Sequence, residues 1–322
     1  MKKRSSLLLA LLLALSLLIA GCGAKPAAAP ETKSLTIAYQ GGIGYAPIHV
    51  MQAQGLIEKY YDGDVAVTFT KLDSGAAINE GIIGGTIDIG CMGLAPAISG
   101  VSRGIPYKVI SNLCSQSHGL MSNDPAITQL SDIGDTDKIA LVNTGSIQHI
   151  LLAMAAESAL GDAHALDNNI QSMSHAEGMA ALESGTVKLH LTSSPFIYQE
   201  RDSGRYTELT ELGSVWPSGS SFLVAMASEK LAGDPALFEA VQKALAEAIT
   251  FINEHPQEAA ELESEVLALE LDTVTGYLQQ PDCQFFPELR GAGAMAEFML
   301  RAGFIETGIT MEQFCYSGVS GD

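Results

Sequence analysis

Beyond residue 33 the apolar and polar positions change period again and again. Ser34 to Gln40 alternates with period two, a helical pattern opens at Pro47 and runs through Tyr60, and Asp64 to Lys71 alternates once more. These periods predict strand, helix, strand. Gly75 to Gly84 then reads as a helix, Thr86 to Cys91 as a strand, Ala95 to Arg103 as a helix stopped at Gly104, and Pro106 to Leu113 as a strand. The alternation implies a largely parallel sheet with helices on both faces.

A second series starts near Asp132. Lys138 to Asn143 reads as a strand, Gly145 to Leu160 as a helix with Ile147, Ile150, Leu151, Met154 and Ala155 on one side, and Ile170 to Met173 as a strand. A helix over Ala176 to Glu183 and a strand over Val187 to Leu191 complete a second small α/β lobe. After a strand at Phe222 to Ser228 the chain turns helical, most clearly over Pro235 to Phe251, Pro256 to Leu269 and Ala292 to Ala302. The two series echo one another. Gly85-Thr-Ile-Asp-Ile-Gly90 and Gly185-Thr-Val-Lys-Leu-His190 each follow an alanine-containing helix with a Glu (Glu80, Glu183), and each leads to a loop and a proline, Pro96 and Pro195. Proline suits a first helical turn, where its missing N–H would lack a partner anyway.

The first residues are not part of this pattern. Met1-Lys-Lys-Arg is followed by an apolar run from Leu7 to Ala20 and a small-residue site, the layout of an export signal over residues 1–21. As a helix that run reaches about 21 Å at ~1.5 Å per residue, short of a hydrocarbon core of roughly 30 Å. Leu18-Ile-Ala-Gly-Cys22 resembles the lipobox of bacterial lipoproteins, which implies acylation of Cys22 as the new N-terminus. Residues 22–33, rich in Ala and Pro, read as a tether in extended geometry with nothing to bury.

Charge narrows the partners. The 322 residues hold 17 Lys and Arg against 37 Asp and Glu, a net charge of −20 that becomes −23 once Lys2, Lys3 and Arg4 leave with the signal. Such a surface repels a phosphate backbone, so no nucleic-acid partner is expected. An anionic ligand meets the same long-range repulsion, but screening within about 8 Å leaves local dipoles to decide; neutral heterocycles and zwitterions avoid the conflict. From Ala244 to Leu289 there are ten acidic residues and no Lys or Arg, which reads as a solvated helical face. Cys91, Cys114, Cys283 and Cys315 lack the CxxC spacing of a zinc site, so no metal is expected, and buried thiols or disulfides both suit them.

In parallel sheets ligands bind beyond the carboxyl ends of the strands. The loops there are rich in Gly, Ser and Thr: Gln40-Gly-Gly-Ile-Gly-Tyr45, Asp73-Ser-Gly75, Met92-Gly-Leu94, Thr144-Gly-Ser146 and Thr192-Ser-Ser194. Each precedes a helix, so free N–H groups, small hydroxyls and the positive ends of helix dipoles would converge on one space. The same residue types serve as plain N-caps. Five such loops on one edge of two lobes point to a site for an anion or a carbonyl-type acceptor without a buried Arg.

Four stretches resemble the periplasmic solute-binding proteins of ABC importers, in the branch serving nitrate, sulfonates, taurine and thiamine-pyrimidine precursors. They are Ile37-Ala-Tyr-Gln40 with Tyr45-Ala-Pro47 and Ala53-Gln-Gly-Leu-Ile-Glu-Lys59; Asp73-Ser-Gly75; Gly85-Thr-Ile-Asp-Ile-Gly90 with Gly93 and Pro96-Ala97; and Asn143-Thr-Gly-Ser-Ile-Gln-His149. The resemblance implies the two-lobed α/β fold of type II periplasmic binding proteins, hinged by two crossover strands, with residues 34–119 plus 222–322 as lobe one and 120–221 as lobe two. It implies a monomer without a cofactor that hands a small-molecule ligand to an ABC permease and its ATPase from the outer face of the cytoplasmic membrane. The expected ligand contacts are Tyr39, Gln40, Gly44, Tyr45, Ser74, Gly75, Met92, Gly93, Leu94, His118, Thr144, Gly145, Ser146, Gln148, Ser193, Ser194 and Ser221. His118 suits either a cleft donor or a structural role, and Trp216 is expected to pack at the hinge.

Enzymatic strings lie in the wrong context. Gly100-Val-Ser-Arg-Gly104 matches a serine-hydrolase elbow but ends a helix instead of leaving a strand. Gly291-Ala-Gly-Ala-Met-Ala296 matches a dinucleotide loop but lies in a helical stretch. His175-Ala-Glu177 lacks the PCxxC that would complete a zinc deaminase. Thiamine-pyrimidine synthases share the implied fold and consume a histidine beside a cysteine-rich iron motif; dispersed cysteines and the lipobox favour capture over synthesis. A sensory lipoprotein is the remaining alternative.

Overall fold

The computed structural model describes residues 32–319. The expected export signal, most of the expected tether and Cys22 lie outside the described residues. Ten strands form two five-stranded sheets. The first contains β1 (Lys33–Tyr39), β2 (Val65–Lys71), β3 (Ile89–Gly93), β4 (Tyr107–Cys114) and β10 (Leu223–Ser228), in the order β2-β1-β3-β10-β4. The second contains β5 (His118–Ser122), β6 (Ile139–Leu141), β7 (Ile170–Ser172), β8 (Leu189–Ser193) and β9 (Thr207–Leu209), in the order β7-β6-β8-β5-β9. Each is parallel except for one antiparallel strand in the fourth position, and that strand is exchanged. β5 follows β4 but pairs with β8 and β9, while β10 follows β9 but pairs with β3 and β4. The sequence pattern predicted a largely parallel sheet; the inserted antiparallel strands β5 and β10 make both sheets mixed.

The exchange places the hinge. Leu223, at the start of β10, pairs with Gly93 and Cys114 at the ends of β3 and β4, and His118, at the start of β5, pairs with Ser193 at the end of β8. Both crossover strands therefore begin at the carboxyl edge of the neighbouring strands. Residues 115–117 and 210–222 connect the lobes along that edge.

The echoing glycines occupy equivalent positions. Gly85 (φ 70°) follows the helix Gly75–Ile83 and Gly185 (φ 75°) follows the helix His175–Ser184. This left-handed conformation costs a non-glycine residue about 1–2 kcal/mol, and it turns the next two N–H groups back onto the helix. Thr86 and Ile87 donate to the Gly81 carbonyl (3.0 and 3.3 Å), and Thr186 and Val187 to that of Ala181 (2.9 and 3.2 Å). Those amides are spent on the helix end, so β3 and β8 begin at residues 89 and 189, later than the alternation predicts. A left-handed Gly55 (φ 57°) likewise divides the expected helix from Pro47 into Ala46–Gln54 and Leu56–Tyr60. The helix Phe196–Asp202 opens at Pro195, where the echo with Pro96 expects one, whereas β5, β9 and the helices Glu211–Val215 and Leu271–Leu278 carry no clear period and were not anticipated.

Helices of the C-terminal third cover lobe one. Pro235–Glu254 packs across Ala46–Gln54 and Leu56–Tyr60, burying Leu237, Val241, Ala244, Leu245, Ala248 and Ile252 along one stripe. Among the described residues, no helix is long and apolar enough to cross a membrane. Cys91, Cys114, Cys283 and Cys315 are buried thiols outside any disulfide among the described residues, with burial pushing the Cys283 thiol up to about 12.

Candidate functional site

A cavity of about 440 Å³ opens between the lobes at the carboxyl edges of both sheets. Its volume falls in the range of small-ligand pockets. Lobe one contributes the first loop through Gln40, Gly41, Gly42 and Tyr45, the β2 end through Lys71 and Asp73, and Gly75, Gly93 and Pro96 at helix starts. Lobe two contributes Asn143, Ser146, Gln148, Ser174, His175, Ser193, Phe196 and Gln199. Gln116 and Phe222 line it from the two hinge segments, and Val266, Leu267 and Leu269 form an apolar rim.

Each lobe delivers its groups differently. In lobe one the N-terminal residues of Gly75–Ile83 and Leu94–Ser102 reach the cavity through glycines, so main-chain atoms approach the empty space directly. Gly93 also lies against lobe two: a Cβ there would meet Ile147 Cγ2 at 3.0 Å. At Gly42 (φ 131°) a Cβ would stand 3.2 Å from the Ser194 carbonyl oxygen. In lobe two, Ile147–Leu160, His175–Ser184 and Phe196–Asp202 start at the cavity. Helix N-termini from both lobes thus surround one space, which favours negative charge or acceptor atoms. Lys71 is the cationic side chain of the lining, opposite Tyr39 in the β1–β2 register.

Side-chain bonds orient the lining. The Gln40 amide donates to the Tyr45 hydroxyl (2.9 Å), and the Ser194 hydroxyl donates to Gln116 Oε1 (3.2 Å). Under lobe two, His175 Nδ1 pairs with Thr192 Oγ1 (2.9 Å) and its Nε2 with the Gln148 amide (3.3 Å). Behind it His190 Nδ1 lies 2.5 Å from Glu200 Oε1, both side chains fully buried. Burial, with His190 adding to it, pushes His175 down to about 3; burial pushes His190 down to about 3 and Glu200 up to about 8. Desolvation favours the uncharged form of each group, so at neutral pH lobe two presents an uncharged imidazole to the cavity.

Of the expected contacts, Gln40, Tyr45, Gly75, Gly93, Ser146, Gln148 and Ser193 line the cavity. The rest are placed otherwise. Ser74 caps its helix, accepting from the Ala77 N–H (3.2 Å), and the backbone of Gly75 takes the wall position. Ser194 turns to Gln116, and Ser221 Oγ accepts from the Arg290 N–H (2.9 Å). Gly44 packs against Gln116 and Cys114, and Met92 and Leu94 are wholly buried. Tyr39 sits edge-on to His49 (5.3 Å), over the buried His49–Glu263 pair (2.8 Å). Thr144 accepts from the Asn143 amide through its carbonyl, while Gly145 donates to His149 Nδ1 (2.9 Å). His118 stacks on Phe222 (5.4 Å) and faces a second cavity behind the hinge; burial pushes its pKa down. Trp216 packs beneath Gly291, where a Cβ would meet its ring at 3.0 Å.

Residues that sequence reasoning missed include Lys71, Gln116, Ser174, His175, Phe196 and the 266–269 rim. Lys71 closes a predicted strand at the carboxyl edge, a signal that was there to be used. The rim comes from a helix end far along the chain and gives no such signal.

Two exchanged, mixed sheets with a cavity at their shared carboxyl edge define the fold of the periplasmic binding proteins. The chain belongs to the NMT1-like family, whose model matches residues 28–268. A Bacillus subtilis (strain 168) protein named for binding aliphatic sulfonates is 25% identical over 284 residues, covering 85% of this chain and 82% of its own length. Among solved structures, the periplasmic aliphatic sulphonate binding protein SsuA from Escherichia coli superposes with a TM-score of 0.69 at 19% identity, covering 91% of this chain and 94% of its own. SsuA from Xanthomonas axonopodis pv. citri, bound to MOPS, gives 0.71 at 17% identity, with 91% and 99% covered. The periplasmic nitrate-binding protein NrtA from Synechocystis PCC 6803 gives 0.66 at 15% identity, with 86% and 83% covered.

Proposed function

We propose that this protein is the extracytoplasmic substrate-binding component of an ABC importer, and that it takes a small sulfonate-type anion, taurine or nitrate included, into the inter-lobe cavity. The observation that carries this reading is the convergence of helix N-termini and small hydroxyls from both lobes on one space of about 440 Å³. A ligand touching both walls stabilises the closed arrangement over the open one, which is how a binding protein converts occupancy into shape. The sulfonate-binding relative supports the ligand class. Cys22 is the proposed lipid anchor, with residues 22–33 as the tether and a membrane permease with its ATPase as the receiving partner.

A second reading is favoured by the walls. Tyr45, Phe196, Phe222 and the uncharged His175 give the cavity aromatic faces on both sides, which suits a flat heterocycle such as a pyrimidine precursor. Titration calorimetry of the purified body against alkanesulfonates, taurine, nitrate and pyrimidines separates the two. Micromolar or tighter binding of a sulfonate, lost on Ser146→Leu, is the expected result. Binding confined to pyrimidines would move the assignment to the second reading, and catalytic turnover of any of these compounds would refute both.

A further inference from the structure

The lobes also meet away from the cavity, where a histidine bridges them. His164 follows the lobe-two helix Ile147–Leu160 and reaches the end of the lobe-one helix Ala292–Arg301. Its Nδ1 lies 2.8 Å from Asp167 Oδ2, and its Nε2 lies 2.8 Å from the Ala302 carbonyl oxygen in the other lobe. Both partners are acceptors. A neutral imidazole has one N–H and satisfies one of them; the imidazolium has two and satisfies both. The ring also packs on Phe304 of lobe one at 4.9 Å.

Asp167 passes this contact onward. Its Oδ1 accepts from His149 Nε2 (3.1 Å), and His149 is held in that tautomer because its Nδ1 accepts the Gly145 N–H (2.9 Å). Gly145 (φ 80°) precedes Ser146, which lines the cavity. A continuous chain of hydrogen bonds therefore runs from the lobe seam to a cavity loop. The charged groups around His164 are Asp167, Asp162, whose carboxylate accepts the His164 backbone N–H (2.9 Å), and the cross-seam pair Arg301–Glu157 (2.5 Å); His149 is reached through Asp167. The Ala302 carbonyl first, and then the Asp167 carboxylate, hold the half-exposed His164 above the ordinary histidine pKa.

We propose that His164 is a pH-gated clasp between the lobes: protonated, it bridges Asp167 and the Ala302 carbonyl and favours the lobe arrangement described here; deprotonated, it gives up one partner and loosens both the seam and the Gly145–Ser146 loop. The clasp stands on the two-lobed fold, and as control of ligand capture it rests on the binding function proposed above. Its contribution is complete at acid pH and is lost as pH rises through the raised His164 value.

The test uses no ligand, so it fails separately from the binding reading. The chain from residue 22 onward, carrying Cys22→Ser, is compared with its His164→Gln and Asp167→Asn variants at pH 5.5 and 8.5. NMR follows the His164 ring and the exchange protection of the Gly145 amide, and small-angle scattering gives the radius of gyration. The parent should lose about fivefold in Gly145 protection and expand slightly at pH 8.5, the scale of one partly exposed charge-assisted hydrogen bond. His164→Gln should show neither response, and Asp167→Asn should lower the His164 midpoint. A parent whose protection and size ignore pH, or a His164→Gln variant that responds like the parent, would overturn the clasp.

Discussion

The two lobes share one strand order and one exchanged strand, yet they line the cavity with different chemistry. Lobe one brings much of its wall as glycine backbone, at Gly41, Gly42, Gly75 and Gly93, with Lys71 as its cation. Lobe two brings side chains, Asn143, Ser146, Gln148, Ser174 and Ser193, with Gln148 braced by His175 of a polar layer that continues through Thr192, His190 and Glu200. Backbone amides have fixed geometry and hold any acceptor of suitable size, whereas side chains differ from position to position and can discriminate. On the proposed function, the common sheet plan supports a general anion cradle on one side and a selective wall on the other.

Substituting the selective wall should have the largest effect. Ser146→Leu fills the start of a lobe-two helix and is expected to abolish ligand affinity in calorimetry. Ser146 Oγ also accepts the His149 N–H (3.3 Å), so thermal stability should fall by about 1 kcal/mol for the lost cap. Ser146→Asp keeps the cap and should restore stability while still repelling an anion. A stability loss far beyond the cap, with affinity intact, would make Ser146 structural.

The cradle is tested next. Gly93→Leu drives a side chain against Ile147 across the lobes, and overpacking of about 1–3 kcal/mol corresponds to a loss of affinity of roughly fivefold to 150-fold. Unchanged affinity would mean that the lobes need not meet at Gly93 for ligand to be held.

A smaller effect follows pH and belongs to lobe two. His175 and His190, held near 3 by burial, return to the ordinary histidine value of 6.5 once unfolded. The unfolded chain therefore binds more protons between about pH 6.5 and 3, and stability should decline as pH falls through that window. Glu200, raised to about 8, acts in the opposite sense: between the ordinary glutamate value of 4.5 and about 8 the folded state holds the extra proton, so this group costs stability as pH rises. Calorimetric scans of His175→Gln should show a shallower acid limb, and Glu200→Gln a shallower alkaline one. Identical limbs in parent and variants would show that the buried layer does not titrate with unfolding.

Local chemistry was legible because local residues decide it. The alternating runs gave β1 and β2 nearly to the residue, and the repeat at Gly85 and Gly185 marked two equivalent helix ends because a left-handed turn favours glycine, which carries no Cβ penalty there. The site was legible only to the level of loops. Ser74 and Ser194 were expected to face the ligand, but each hydroxyl bonds within its own lobe or hinge, and the neighbouring Gly75 and Ser193 form the wall. Capping alone does not decide the matter, because Ser146 and Ser174 cap their own helices and still line the cavity, whereas Ser74 does not.

From the chain alone one learns the α/β alternation, the helix starts rich in small polar residues and the negative charge, since each depends on neighbours within a few residues or on composition. Tertiary structure decided the exchange of β5 and β10, the union of Lys71, Gln116, His175 and Val266 around one cavity, and the seam where His164 meets Ala302. Those contacts join residues up to nearly two hundred positions apart, and they exist only because buried sheet edges and helix faces had to find partners that no local pattern names.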